Sequence, residues 1–239
     1  MIQVDPPAEP AAALDFIRLA YATRHSTDRR KRGGDFIAYD LGRGRLILTI
    51  GDASAKESQG QQIARILRRS FRTSSAASSP SRILDAMSDV FMEQAGLSAP
   101  SPTFAAVLVA KIDLVWGVLS YAAAGVEGGL VFGDRAPHVH LEATGPLLGI
   151  EQRPTFEERT MSFRPGDTLI AYTDGVTEAV AASGDGHFGS SGLVRSLRQI
   201  RPDGDLTIRA LWEKIGQFTG RVYHDDATLA IVTTPLVRS

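Results

Sequence analysis

One short segment pins a strand at both ends. Pro165-Gly166-Asp167 reads as a tight turn, Thr168 to Thr173 follows as an apolar β-prone run, and Asp174-Gly175 closes it. A carboxylate delivered at a strand end beside a flexible glycine is well placed to hold a metal ion at the rim of a sheet. Three further acidic positions share the setting: Asp35 after Gly33-Gly34, Asp52 after Ile50-Gly51, and Asp225-Asp226 before Ala227-Thr228-Leu229. The expectation is a sheet-rich molecule whose chemistry lies at strand ends.

Composition removes several alternatives. Hydrophobic residues at 43% and charged residues at 22% suit a soluble globular domain with a sizeable core. The net charge of −1 gives no general attraction to nucleic acid or an anionic membrane. The absence of cysteine excludes thiol catalysis, disulfides and cysteine-based zinc sites, and it fits a reducing compartment. Met1 to Pro10 has neither the basic nor the apolar region of a signal peptide, and no apolar run approaches the roughly 18 residues of a membrane span. A cytoplasmic location is therefore expected.

Periodicity supplies the element order. Residues 1–13 are expected to be a flexible arm and residues 14–239 a single domain. Leu14 to Ala22 reads as a strand or a short helix. Phe36–Leu41 and Leu46–Ile50 read as a hairpin around Gly42-Arg43-Gly44. Ile63, Ile66, Leu67 and Phe71 recur at helical spacing and predict a helix from about Ser58 to Arg72. A second helix follows, with Ser81 as the expected cap and Ile83, Leu84, Met87, Val90 and Phe91 on one face. Strands are expected over Thr103–Ile112, Trp116–Ala124, Leu130–Phe132, Val139–Leu141, Phe156–Phe163, Thr168–Thr173 and Thr228–Thr233. Helices are expected over Leu193–Ile200 and Ile208–Phe218. This order predicts an α+β layered fold with antiparallel sheets.

Hard dications such as Mg²⁺ and Mn²⁺ prefer carboxylate, carbonyl and water oxygens, and a pair of them can drive hydrolysis at phosphorus. Asp35, Asp52, Asp174 and Asp225 are far apart in sequence, each at an expected strand edge. That is the arrangement a two-metal site requires. An Asp beside Gly is equally an ordinary turn residue, so spacing leaves both readings open.

The strings Gly33-Gly34-Asp35-Phe36, Gly51-Asp52-Ala53-Ser54, Tyr172-Thr173-Asp174-Gly175-Val176-Thr177-Glu178 and Asp225-Asp226-Ala227-Thr228-Leu229 occur in that order. So do Tyr121-Ala122-Ala123-Ala124-Gly125, Gly145-Pro146-Leu147-Leu148-Gly149 and His187-Phe188-Gly189. Together they resemble the metal-dependent protein phosphatase superfamily, in its bacterial stage II sporulation protein E and RsbU-like branch, from about Gly33 to Val232. The resemblance implies a four-layer α-β-β-α sandwich of two antiparallel sheets flanked by helices. It also implies hydrolysis of phosphoserine or phosphothreonine by a water activated by two Mn²⁺ or Mg²⁺ ions. Asp52 would bridge the ions beside the Ala53 carbonyl, with Asp174 and Asp225 as further ligands. Asp35 matches an acidic position near the second metal, and Asp226 is the reserve ligand. Lys56 would bind phosphate or assist the leaving oxygen; a solvated lysine is its plainer reading. The implied substrate is a phosphorylated anti-anti-sigma (STAS-type) regulator in partner-switching control of transcription, and homodimerisation is open.

The chain also departs from that family. Ala55-Lys56-Glu57 stands where relatives carry glycines around a basic residue, and Val126 follows Ala124-Gly125 where relatives commonly place His. These changes support an alternative, a phosphatase-fold module that binds a phosphoprotein or regulatory partner with little or no turnover. A small phosphorylated metabolite is a further candidate substrate. Arg29-Arg30-Lys31-Arg32 could orient a phosphate or an acidic surface, although a solvated basic turn explains it as well. His138-Val139-His140 puts two rings on one strand face, without the neighbours a metal site needs. The diguanylate cyclase signature is excluded, because no Glu precedes Phe36.

Overall fold

The computed structural model describes residues 12–14, 17–28, 33–42, 44–54, 58–75, 79–96, 103–133, 138–200 and 208–234. Residues 1–11 of the expected arm, the Arg29–Arg32 run and Ala55-Lys56-Glu57 lie outside them.

Two antiparallel sheets form the centre. The first has the order β1-β2-β11-β10-β7-β8, built from Ala12–Leu14, Ile17–Arg24, Ala227–Thr233, Thr168–Tyr172, Gly129–Phe132 and Val139–Leu141. The second has the order β3-β4-β5-β6-β9, built from Asp35–Gly42, Arg45–Ser54, Phe104–Asp113, Val118–Ala124 and Arg159–Ser162. Helices α1 (Ser58–Ser74) and α2 (Pro80–Phe91) cover the second sheet, and a π-helical turn at Met92–Gly96 follows α2. Helices α3 (Asp174–Thr177), α4 (Gly189–Gln199) and α5 (Ile208–Thr219) cover the first. The result is the expected α-β-β-α sandwich.

The two-residue period of a strand explains why its layers fit. In β4, Leu46, Leu48 and Ile50 enter the core between the sheets, while Ile47 and Ala53 face α1 and α2. In β10, Leu169 and Ala171 point into the inter-sheet core, and Ile170 and Tyr172 point toward α3 to α5. All five β10 side chains are therefore buried, which is why its sequence runs apolar without alternation. The one polar side chain among the middle residues of β4, Thr49, donates its hydroxyl to the Leu108 carbonyl at 3.1 Å.

Several boundaries differ from expectation for identifiable reasons. Leu14 and Ile17–Ala22, expected as a strand or a short helix, lie in β1 and β2, and Ala12 and Ala13, expected inside the arm, pair with β2. Helix α2 starts two residues earlier than a Ser81 cap would allow. Ser79 occupies the N-cap and Pro80 the first helical position, where its missing N–H costs nothing. Trp116 lies in the β5–β6 turn rather than in a strand, because the Asp113 carboxylate accepts hydrogen bonds from the Val115 and Trp116 amides at 3.0 and 3.1 Å. Strand β9 is shorter than Phe156–Phe163, since only Arg159–Ser162 finds partners on β6. No helix among the described residues is long and apolar enough to cross a membrane.

Candidate active site

At one edge of the sandwich the inward-facing positions change from apolar to polar. Along β3, Phe36 and Ala38 face the helices, while Ile37 and Tyr39 pack toward the inter-sheet core; the alternation puts Asp35 on the inter-sheet side. The same count along β4 puts Asp52 there, and Asp35 and Asp52 are direct cross-strand partners. From the opposite sheet, Thr228 of β11 and Thr173, just past β10, extend the faces occupied by Ala230 and Ala171.

These residues tie the sheets together. The Asp35 Oδ2 accepts the Thr228 hydroxyl at 2.6 Å and the Thr173 hydroxyl at 2.9 Å. The Thr173 Oγ1 in turn accepts the Thr228 amide at 2.9 Å, and the Thr23 and Thr228 hydroxyls lie 2.9 Å apart. Neither threonine was assigned a role from sequence, although both lie inside strings already singled out. The overlooked signal was the two-residue period, which carries the core-facing row outward to each of them.

The remaining acids stand around this pair. Asp174 opens the short α3 and Asp225 precedes β11; both are exposed. Asp226 is buried and works differently. Its Oδ1 accepts the Ser26 amide at 2.8 Å and lies 3.3 Å from His25 Nδ1, its Oδ2 accepts the Gly33 amide, and it thereby ties Ser26 and Gly33 to the start of β11. The reserve ligand is thus already engaged as a structural clamp. Lys56 lies outside the described residues, and Val126 sits in the bend after Gly125.

Close packing brings backbone oxygen to the site. A side chain at Gly34 would strike the Asp52 carboxylate and come within 2.7 Å of the Ala53 carbonyl oxygen, so only glycine leaves these groups room. Gly60 of α1 lies against the same carbonyl, where an added Cβ would be 3.1 Å away. Across the site, Gly175 packs on the Asp226 carbonyl with no room for a Cβ.

The electrostatics follow from crowding acids. Burial, then the neighbouring charges of Asp174, Asp225 and Asp226, push the Asp52 carboxyl up to about 7. Burial and the Asp52 charge also raise Asp35 well above the usual carboxylate range, against the opposing Thr228 and Thr173 bonds. Asp174, although solvent reaches it at the rim, is raised by partial desolvation against its neighbours, then by Glu178, with Asp225 adding less. Burial would raise Asp226 as well, but hydrogen bonds from His25, Ser26 and Gly33 outweigh it and hold its carboxyl below the ordinary value.

The acids raise one another, and no Lys or Arg among the described residues offsets that effect at Asp35, Asp52 or Asp174. Carboxylates beside a backbone carbonyl are the donor chemistry of a hard divalent cation, so the residues fit Mg²⁺ or Mn²⁺. Among the described residues no three His, Asp or Glu side chains already stand close enough to hold one ion, which leaves water and the Ala53 carbonyl to complete any shell.

The sequence profile of the stage II sporulation protein E (SpoIIE) family matches residues 42–235. Protein IcfG of Synechocystis sp. is 32% identical over 130 residues, which are 54% of this chain and 20% of that protein. A structure of the RsbU and RsbW domains of a Mycobacterium tuberculosis protein superposes with a TM-score of 0.74 at 24% identity, covering 98% of this chain and 62% of that one. The PP2C phosphatase domain of SpoIIE from Bacillus subtilis, solved with a fragment of its regulatory domain, gives 0.74 at 16% identity over 92% and 62%. The chain thus spans about a fifth of the curated relative it matches and under two thirds of either structure. The two structures share the α-β-β-α fold, and the profile covers the site from β4 to the end of β11. By that match, the chain belongs to the stage II sporulation protein E (SpoIIE) family.

Proposed function

We propose that the chain is a metal-dependent protein serine/threonine phosphatase that hydrolyses phosphoserine or phosphothreonine at the carboxylate edge. The observation that carries this reading is geometric: Asp35 and Asp52 are cross-strand partners beside the Ala53 carbonyl at the sheet edge, where burial and then the charges of Asp174, Asp225 and Asp226 push the Asp52 carboxyl up to about 7. Asp52, Asp174, Asp225 and the Ala53 carbonyl would hold two Mn²⁺ or Mg²⁺ ions. When bound, the ions supply charge to the phosphoryl oxygens and acidify the attacking water.

The chain's own residues have separate tasks. Asp52 would have to be ionised to serve as a ligand, since a metal-binding carboxylate must be deprotonated. Asp35, oriented by the Thr173 and Thr228 hydroxyls, stands beside Asp52 and would add a further carboxylate to the metal site once ionised. Gly34 and Gly60 leave the Ala53 carbonyl uncovered by side chains. Lys56 is assigned to phosphate binding or leaving-group assistance. A phosphorylated anti-anti-sigma regulator with a STAS fold is the proposed substrate, in the cytoplasm, and homodimerisation is compatible with the reading.

One observation favours the alternative of a weakly active or inactive phosphoprotein-binding module: no three described acids are yet gathered around one point. Phosphate release from a phosphoserine protein, with and without Mn²⁺, separates the two. Metal-dependent release that disappears in both Asp52→Ala and Asp174→Ala is expected. Metal and phosphoprotein binding without release would transfer the assignment to the module.

A further inference from the structure

The His138-Val139-His140 motif finds its setting at the far edge of the first sheet. β8 ends that sheet's strand order, pairing only with β7 among the described strands. Beside it lies a cavity of about 590 Å³ between the strand and α4, lined by His138 and His140 on one side. The helix contributes Ser190 and Ser191, Val194 and Arg195, and Arg198 and Gln199. These pairs recur at the helical period and make one continuous stripe down α4.

Its chemistry is one-sided. No acid lines the cavity, whereas two guanidinium groups, two imidazoles and two hydroxyls do. Arg195 and Arg198 are exposed, and neither has an ion-pair partner among the described residues. The carboxylate behind His140 is already engaged: Glu127 Oε1 accepts the His140 ring N–H at 2.6 Å and the Tyr172 hydroxyl at 2.8 Å. Because a carboxylate only accepts, His140 donates through Nδ1, leaving Nε2 for a ligand. The His138 and His140 rings pack edge to face with centroids 5.2 Å apart, which fixes both on the same side. A metal ion is excluded by the arginines; an anion is attracted by them.

Shape selects the kind of anion. From Ser190 to Gln199 the stripe rises about 14 Å along the helix axis. That distance matches about four residues of extended chain rather than one small oxyanion. The outer edge of β8 offers backbone groups that an extended chain can pair with. We propose that this groove docks an extended acidic segment of a partner protein, with its carboxylates on Arg195 and Arg198 and its backbone along β8. The groove shares no residue with the carboxylate edge described above, so its occupancy does not depend on phosphatase turnover.

Fluorescence anisotropy tests this with the full chain, using a short labelled Asp/Glu-rich peptide and its Asn/Gln counterpart. The acidic peptide is expected to bind and to be released by high salt, and the neutral one is expected not to bind. Arg195→Ala combined with Arg198→Ala should weaken binding by about tenfold, the sum of two exposed charge pairs. Arg195→Glu combined with Arg198→Glu should abolish it. Both positions are exposed, and circular dichroism checks that the variants fold. Hydrogen exchange across 138–141 should slow when the peptide is present. Equal binding of the two peptides, or binding unaffected by the arginine variants, would overturn the proposal. So would a single-stranded DNA oligonucleotide that occupies these residues more tightly than the peptide.

Discussion

The hydroxyl of Thr228 donates to the carboxylate of Asp35 at 2.6 Å across the gap between the two sheets. Thr228 belongs to β11 and Asp35 opens β3, so this bond joins strands that share no backbone ladder. It ties the two sheets together at the edge that carries Asp35 and Asp52.

Replacing Thr228 with Val keeps the shape and removes the donor. Asp35 would then keep only the Thr173 bond on its Oδ2. Losing one hydrogen bond to a largely enclosed carboxylate should destabilise the fold by about 1–3 kcal/mol, read from urea unfolding. The double variant with Thr173→Val should lose more than either single change. An unchanged urea midpoint would mean that the bridge carries no stability.

Gly34→Ala tests whether close packing builds the site. The added methyl overlaps the Asp52 carboxylate and crowds the Ala53 carbonyl, so one of them must move. A cost of about 1–3 kcal/mol is expected from overpacking, together with weaker Mn²⁺ binding by calorimetry. Gly184→Ala is the control. It lies in open space, although its positive φ of 84° adds backbone strain, so it should lose stability without losing metal affinity.

The metal-free protein should be more stable in mild acid than in mild base. The folded state raises Asp35 and Asp52 above the ordinary 3.8, the latter to about 7, so it holds these protons more tightly than the unfolded chain does. Stability contributed by the two groups therefore falls as pH rises from about 4 to about 7. Asp226, held low, acts oppositely and only as pH falls through its ordinary value and below. Urea midpoints in chelator should be higher near pH 5 than near pH 8, with a smaller difference in Asp52→Asn. A midpoint that rises across this window would contradict the assignment.

Asp226→Asn probes the loop clamp. Whichever way the amide is turned, one N–H₂ group meets a backbone N–H that now donates to a carboxylate oxygen. A loss of about 1–3 kcal/mol is expected, with faster amide exchange at Ser26 and Gly33. Retained protection at both amides would show that other contacts hold the loop.

Much of this was legible in the chain before folding. The hairpin of β3 and β4, the helix pair and the β10 segment between its turn and Asp174 follow from short-range chemistry, namely period and turn residues. The family strings located Asp35, Asp52, Asp174 and Asp225 because each lies within a few residues of its turn or strand end. Other features depend on partners far away in sequence. Residues Phe156 to Phe163 have the composition of a strand, but β6 supplies partners only for Arg159–Ser162. Asp226 looked like a spare ligand until its bonds to Ser26 and Gly33, about 200 positions away, made it a clamp. Thr173 and Thr228 looked like ordinary strand residues until the two sheets met. His138 and His140 acquired a setting only when α4 laid its arginines beside β8. Sequence thus determined the elements and the acids at their ends, since local forces act within a turn or a strand. The tertiary structure decided which acid is tied to a distant segment and which stands at the rim, because that depends on hydrogen bonds and desolvation between distant segments that only packing brings together.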